Sequence, residues 1–169
     1  CDWMCCKLFS AALLKDVWFD GKLQICEDYV FQCDAFERCN RVVCGSIAKY
    51  HYRQRKESAS NCGYSDRFEK GFDADCKYIN RYIQLYPKYQ KSFMCRYMLE
   101  AMGLITAMIK GNNVNKKRLQ EIQKMIRKHL LEYLFTTGPE IYLKGSAVML
   151  SINIYLFELI YKKMKKLND

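Results

Sequence analysis

The chain has 169 residues, half of them hydrophobic, and a formal net charge of +10. This length and composition exclude a disordered tail and allow one compact core, or a small core with a helical extension. Two prolines and eight glycines are few for an all-β sandwich or barrel, so a mostly helical chain is expected.

The positive charge is concentrated in the C-terminal third. Residues 110–169 contain twelve Lys or Arg and five Asp or Glu, which leaves a net charge of only +3 for residues 1–109. Such an asymmetry favours an anionic partner, either a nucleic acid or an acidic membrane surface.

The ten cysteines lie mostly within apolar runs, and no Cys-x-x-Cys pair occurs. We therefore expect reduced, buried thiols rather than disulfides or a zinc site. No signal peptide opens the chain, and its start at Cys1 suggests a piece of a longer protein.

In chain order, the first segments are a short apolar stretch, 3–9, and one or two helical turns, 10–16. The apolar residues of 27–39 recur on one helical face. Residues 41–53 are rich in β-branched and aromatic side chains and predict a strand. One or two strands cannot form a sheet alone, so partner strands are expected outside this sequence.

After residue 61 the pattern changes to long helices that end at Pro87, at Gly111 and at a Thr-Gly-Pro turn. The predicted helices are 65–86, 88–110, 115–135 and 146–166. The predicted domains are therefore residues 1–60, of mixed α/β structure, and residues 61–169, a helical extension. The fold class is α+β, mostly helical.

A series of short motifs runs through the first sixty residues in a consistent order. The motifs are Lys7-Leu8-Phe9, Leu13-Leu14-Lys15, Phe19 with Gly21, Glu27-Asp28, and Tyr50 to Arg55 followed by Ser58 and Ser60. In this order, residues 3–60 resemble the second half of the catalytic domain of bacterial family 2 glycosyltransferases, which have the GT-A fold. The resemblance implies the C-terminal, acceptor-side part of a GT-A-like α/β domain, followed by a helical bundle.

The resemblance also implies an activity. Such an enzyme transfers a sugar with inversion from a nucleotide-sugar donor to a hydroxyl of a saccharide or lipid-linked acceptor. These enzymes typically build surface polysaccharide, lipopolysaccharide or capsule, and the expected location is the cytoplasm or the inner face of the plasma membrane. The family's opening strand and its metal-binding Asp-x-Asp motif do not precede these residues, and Trp3 is displaced from its usual spacing. The donor-binding half, with the main ligands of a divalent Mg or Mn ion, is therefore expected outside this sequence, and the chain alone is expected to be inactive.

In this resemblance, Asp28 occupies the position of the family's general base, and Glu27 is its acidic neighbour. A carboxylate within hydrogen-bond reach of the acceptor hydroxyl can accept its proton during attack on the anomeric carbon. The free N–H groups of a helix start stabilise negative charge there. The alternative is an ordinary acidic first turn, which is common in helices of any function.

The segment "YHYRQRKES" supplies the other candidates. Arg53, Arg55 and Lys56 could bind the diphosphate leaving group, whose developing charge needs cations. His51 could bind a metal ion, as a late His does in some GT-A enzymes. The alternative for all four is an edge strand with a solvated basic loop.

Asp73-Ala74-Asp75 spells the family's metal motif but lies within a helical pattern, so we interpret it as a solvated helix face.

The helical extension leaves two non-catalytic alternatives open. Residues 146–161 are too few to span a bilayer, which takes about twenty residues. They predict packing against other helices, with the lysine-rich end and the basic face of 116–128 as candidate membrane contacts. The basic helix 115–129 is a candidate for binding nucleic acid. No helix-turn-helix or zinc-finger spacing supports that partner, so it is not favoured.

Overall fold

A computed structural model describes residues 4–47, 50, 51, 53, 64–111 and 115–168, and the side chains up to residue 164. The described chain forms six α-helices and two short 3-10 turns, Met4–Cys6 and Pro87–Tyr89. The helices are α1 (Glu27–Phe36), α2 (Asp66–Leu85), α3 (Gln90–Lys110), α4 (Lys116–Leu134), α5 (Ile141–Ile152) and α6 (Ile154–Asn168).

The predicted α+β fold class is wrong for this chain. Residues 41–47, 50, 51 and 53 are exposed and have no regular secondary structure, and the described residues contain no strand. The β-branched composition of 41–53 expresses a local preference only, because a strand also needs a neighbouring strand for its backbone hydrogen bonds. The described residues supply no such neighbour, so no GT-A-like α/β portion is seen among them. A helical bundle fits only the later part of the chain.

The chain divides into two compact units. The first contains residues Cys1–Cys62 and Asp66–Tyr78, and the second contains Gly63–Ser65 and Ile79–Asp169. Helix α2 therefore contributes residues to both units. The expected domains, 1–60 and 61–169, remain a prediction.

The first unit is built around one face of α1. Val17, Phe31 and Ala35 are buried together, and Phe19 stacks on Phe31 with ring centroids 4.3 Å apart. Phe9 meets the edge of the same Phe31 ring at 6.0 Å. The turns of residues 4–19 thus cover the apolar face of a ten-residue helix that would be marginal in isolation.

The second unit is a helical bundle. Helix α3 packs against α4, and α4 packs against α5. Each helix buries residues at spacings of three and four, as an amphipathic helix does when it seats one face on a core. The fully buried residues include Met98, Ile105, Met108, Ile122, Ile126, Tyr133 and Leu150.

Two basic side chains satisfy the helix ends of the α4–α5 pair. Lys144, in the first turn of α5, donates to the carbonyl oxygens of Leu134 and Thr136 at the end of α4, both at 2.8 Å. In return, Arg127 of α4 donates to the carbonyl oxygen of Ser151 at the end of α5. The last carbonyl groups of a helix have no partner within it, so these contacts fix both ends.

The predicted helix 146–166 is two helices, whereas the other three long helices agree with the structure within two residues at each end. Asn153 has an extended backbone between α5 and α6, and its side-chain oxygen accepts hydrogen bonds from the backbone N–H groups of Tyr155 and Leu156. An Asn in this position caps a new helix start, so the apolar run bends rather than continuing.

The expectation of buried thiols is only partly met. Cys33 is buried, but Cys5, Cys6 and Cys44 are exposed free thiols. Among the described helices, one passes the length and composition test for a membrane span. This helix is Pro87–Lys110. Length and composition alone do not distinguish it from a core helix, which is apolar because one face is buried.

Candidate active site

Glu27 and Asp28 form the first turn of α1, as the sequence predicts for the helix start. Both side chains are half-buried, whereas the following residues Val30, Phe31 and Cys33 are buried. The side-chain amide of Gln32 donates to the backbone oxygen of Asp28 at 2.9 Å. The carboxylates therefore stand at the partly open end of a helix whose body is fixed in the first unit.

The turn that precedes α1 has an unusual backbone. Cys26 has φ 65 and ψ 9, the left-handed conformation that is costly for a residue with a side chain. Its carbonyl oxygen nevertheless accepts the first helical hydrogen bond, from Val30 N–H at 3.1 Å. The orientation of the first helical turn, which contains Glu27 and Asp28, thus depends on the contacts that fix Cys26.

Helix α2 holds this turn through Gly71 and Asp75, four residues apart and so on one helical face. The thiol of Cys26 donates to Oδ2 of Asp75 at 3.6 Å, and Asp75 is fully buried. A Cβ atom at position 71 would lie 3.0 Å from the carbonyl oxygen of Ile25. Glycine at position 71 therefore allows the turn to approach α2 closely, and Asp75 holds the side chain of Cys26 by a hydrogen bond.

A second hydrogen bond joins α1 and α2 two turns further on. Tyr78 donates its hydroxyl to Oδ1 of Asp34 at 2.9 Å. Burial, together with the accepting Asp34 carboxylate, raises the pKa of Tyr78. This hydrogen bond fixes the C-terminal end of α1 to α2.

The assignment of Asp73-Ala74-Asp75 to a solvated face is wrong for Asp75. Asp73 is exposed, but Asp75 is fully buried and contributes to the support of the α1 start. The sequence did contain a signal, because position 75 falls within the stripe formed by Phe72, Cys76 and Ile79. A carboxylate inside an apolar stripe indicates a buried polar contact rather than a solvated surface.

The described residues among those predicted to bind the diphosphate and the metal lie outside the helices. His51 and Arg53 are exposed and belong to irregular chain rather than to a strand. Arg55 and Lys56 lie outside the described residues. Glu27 and Asp28 therefore share one helical turn. The described basic candidates, in contrast, belong to no helix or strand.

His51 does not by itself form a metal site. Within the described part of the chain, it belongs to no group of three or more neighbouring His, Cys, Asp or Glu side chains. A divalent ion needs several oxygen or nitrogen ligands. The Mg or Mn ion, whose main ligands are expected outside this sequence, stays a prediction.

Comparison with known proteins gives no significant match to a family model, to a curated protein or to a solved structure. The resemblance to family 2 glycosyltransferases rests on the order of motifs in residues 3–60.

Proposed function

We propose that this chain is the acceptor-side part of an inverting glycosyltransferase that uses a nucleotide-sugar donor, with Asp28 as its general base. The observation that carries the proposal is the half-exposed carboxylate of Asp28 in the first turn of α1, at the place where the motif order puts the base. The donor site, with its metal ligands, belongs to residues outside this sequence. The proposal does not include an α/β fold for residues 1–60.

In the proposed reaction, Asp28 accepts the proton of an acceptor hydroxyl as its oxygen attacks the anomeric carbon. The new glycosidic bond forms on one face of the sugar, and the bond to the nucleotide diphosphate oxygen breaks on the other. Inversion follows from this geometry. A positioned carboxylate contributes roughly 10²- to 10⁴-fold to such a proton transfer.

Glu27 and the basic residues have supporting roles in the proposal. Glu27 shares the first turn with Asp28 and is its acidic neighbour. Arg53, Arg55 and Lys56 balance the negative charge of the leaving diphosphate. No step is assigned to His51.

The test uses the protein encoded by the whole reading frame that contains this sequence. Asp28→Asn keeps the size of the side chain but replaces one carboxylate oxygen by an NH2 donor, so it removes the proton acceptor. We expect its turnover to fall by at least about 100-fold, measured as acceptor-dependent release of nucleoside diphosphate. The circular dichroism spectrum should stay unchanged, and the loss of the charge at the helix start should lower the free energy of unfolding by no more than about 1 kcal/mol.

Asp16→Asn is the matched control, because Asp16 is an exposed carboxylate in the turn before Val17. Its turnover should equal that of the parent protein. An Asp28→Asn protein that turns over within about threefold of the parent would remove the assignment of the base.

The nucleic-acid alternative is not favoured by the contacts of α4. Arg118 pairs with Glu121 at 3.5 Å, and Arg127 donates to the carbonyl oxygens of Ser151 and Ile152. These two cations of the predicted basic face are thus engaged within the unit. We do not propose nucleic-acid binding.

A further inference from the structure

One long stripe of α6 faces away from the bundle. It consists of Tyr155, Leu156, Leu159, Lys162 and Lys163, which recur at spacings of three and four, and we name it the outer stripe. The opposite face of α6 carries Ile154 and Phe157, both buried. The helix is therefore already seated on its own unit, and the outer stripe is not needed for that packing.

The first half of the outer stripe is apolar and exposed. Tyr155 is 64% exposed, Leu156 47% and Leu159 67%. Ile152, just before the break at Asn153, is also exposed. Exposed apolar side chains at neighbouring positions on one helix face are typical of a site of interaction.

The second half of the outer stripe is basic. Lys162 and Lys163 are exposed, and the sequence adds Lys165 and Lys166. Glu158, an acidic residue of the same helix, pairs with Lys162 at 2.6 Å. The end of α6 therefore carries a net positive charge next to the apolar half.

We propose that the outer stripe of α6 binds the interface of an anionic membrane. The apolar side chains insert at the boundary between headgroups and acyl chains, and the lysines contact the lipid phosphates. With 15 residues, α6 is about 22 Å long and thus shorter than the roughly 30 Å hydrocarbon core, so it lies in the interface and does not span it.

Charge favours a membrane over a second copy of this chain. Each copy carries a formal net charge of +10, and its C-terminal third is the basic part, so two outer stripes repel each other. An anionic leaflet attracts the same lysines and accepts exposed leucines without a shaped pocket. This inference is independent of the proposed catalysis, because it concerns no residue of α1.

The test measures flotation of the full 169-residue chain with vesicles. Vesicles of phosphatidylcholine with phosphatidylglycerol should carry the protein, vesicles of phosphatidylcholine alone should carry much less, and added salt should weaken the binding. A lysine near an anionic surface contributes about fivefold to partitioning. Lys162→Glu/Lys163→Glu should therefore weaken binding by at least about 25-fold.

The apolar half is tested separately. Leu156→Ser/Leu159→Ser should weaken binding by at least about tenfold. The matched controls change exposed residues elsewhere by the same chemistry: Lys77→Glu/Lys91→Glu for the charge, and Leu8→Ser/Leu85→Ser for the apolar area. Both controls should bind within about threefold of the parent, and circular dichroism should show that all variants keep their helices.

Three results would overturn the inference. One is failure of the parent chain to float with anionic vesicles, and another is binding of the outer-stripe variants that is no weaker than that of their controls. A concentration-dependent dimer that Leu156→Ser/Leu159→Ser abolishes would instead identify a second copy as the occupant. None of these results bears on Asp28, since the vesicle assay requires no turnover.

Discussion

The thiol of Cys26 lies 3.6 Å from Oδ2 of Asp75, so the residue just before α1 is tied to a fully buried carboxylate of α2. These two residues are 49 positions apart in the chain. Their contact, together with the close approach of Gly71 to Ile25, sets the position at which Glu27 and Asp28 begin their helix. The geometry of the candidate base is thus determined by residues that take no part in the proposed chemistry.

Gly71→Ala should destabilise the protein by about 1 to 3 kcal/mol, because the new methyl group would lie 3.0 Å from the carbonyl oxygen of Ile25. Urea unfolding measures the change in free energy. Gly103→Ala is the control, since nothing lies within 4 Å of a Cβ atom there and alanine favours a helix by about 0.5 to 1 kcal/mol. Equal stability of the two variants would show that the turn does not depend on Gly71.

Tyr133→Phe should make the protein about 1 kcal/mol more stable at pH 7. The Tyr133 hydroxyl is buried and has no hydrogen-bond partner among the described residues. Burying such a group without a partner costs free energy that phenylalanine avoids.

The same variant should also change the response to alkaline pH. Burial, with smaller contributions from Cys95 and Tyr142, raises the pKa of Tyr133 to about 12 from its ordinary value of 10.0. The folded state thus favours the protonated hydroxyl, and this contribution to stability is present below pH 10 and is lost as the pH rises toward 12. The stability advantage of Tyr133→Phe should therefore grow over this range. A constant difference between parent and Tyr133→Phe would contradict the prediction.

Lys144→Met should cost about 1 to 3 kcal/mol, because it removes both hydrogen bonds that the ammonium group donates at the end of α4. Methionine keeps most of the apolar stem, so the change isolates the lost donors. Lys124→Met, on the exposed face of α4, should change stability by less than about 0.5 kcal/mol. Thermal unfolding of both variants measures the difference, and indistinguishable midpoints would exclude Lys144 as a helix cap.

Asn153→Ala should cost about 0.5 to 2 kcal/mol through loss of the cap on α6. Far-ultraviolet circular dichroism and urea unfolding should both register the change. Asn80→Ala provides the comparison, because Asn80 is exposed in the middle of α2 and alanine is the better helix former there. If Asn153→Ala were as stable as Asn80→Ala, the break would not depend on the side-chain oxygen.

The sequence predicted the long helices well because two local signals agree. The apolar residues repeat with helical period, and Pro87 and Gly111 end the segments. The strand at 41–53 was wrong because β-branched residues describe a preference that only a paired neighbour can realise. The break at Asn153 was missed because one polar residue in an apolar run gives a weak signal.

For the candidate site, the start of α1 at Glu27 could be predicted from its acidic first turn, and the catalytic role of Asp28 remains a prediction. What could not be predicted is the support of that turn. It combines a left-handed cysteine, a glycine on another helix and a buried Asp75, and these meet only through tertiary structure. The sequence pattern indicates each of these residues separately and does not show that they are in contact.

The exposed thiols of Cys5, Cys6 and Cys44 have a practical consequence for anyone who purifies the chain. In air, such groups on neighbouring molecules couple into covalent oligomers, which a non-reducing gel would display as a ladder. Cys33 is enclosed by the first unit and should resist alkylation while the protein stays folded. The rate at which that one sulfur becomes labelled would therefore report how often the first unit opens.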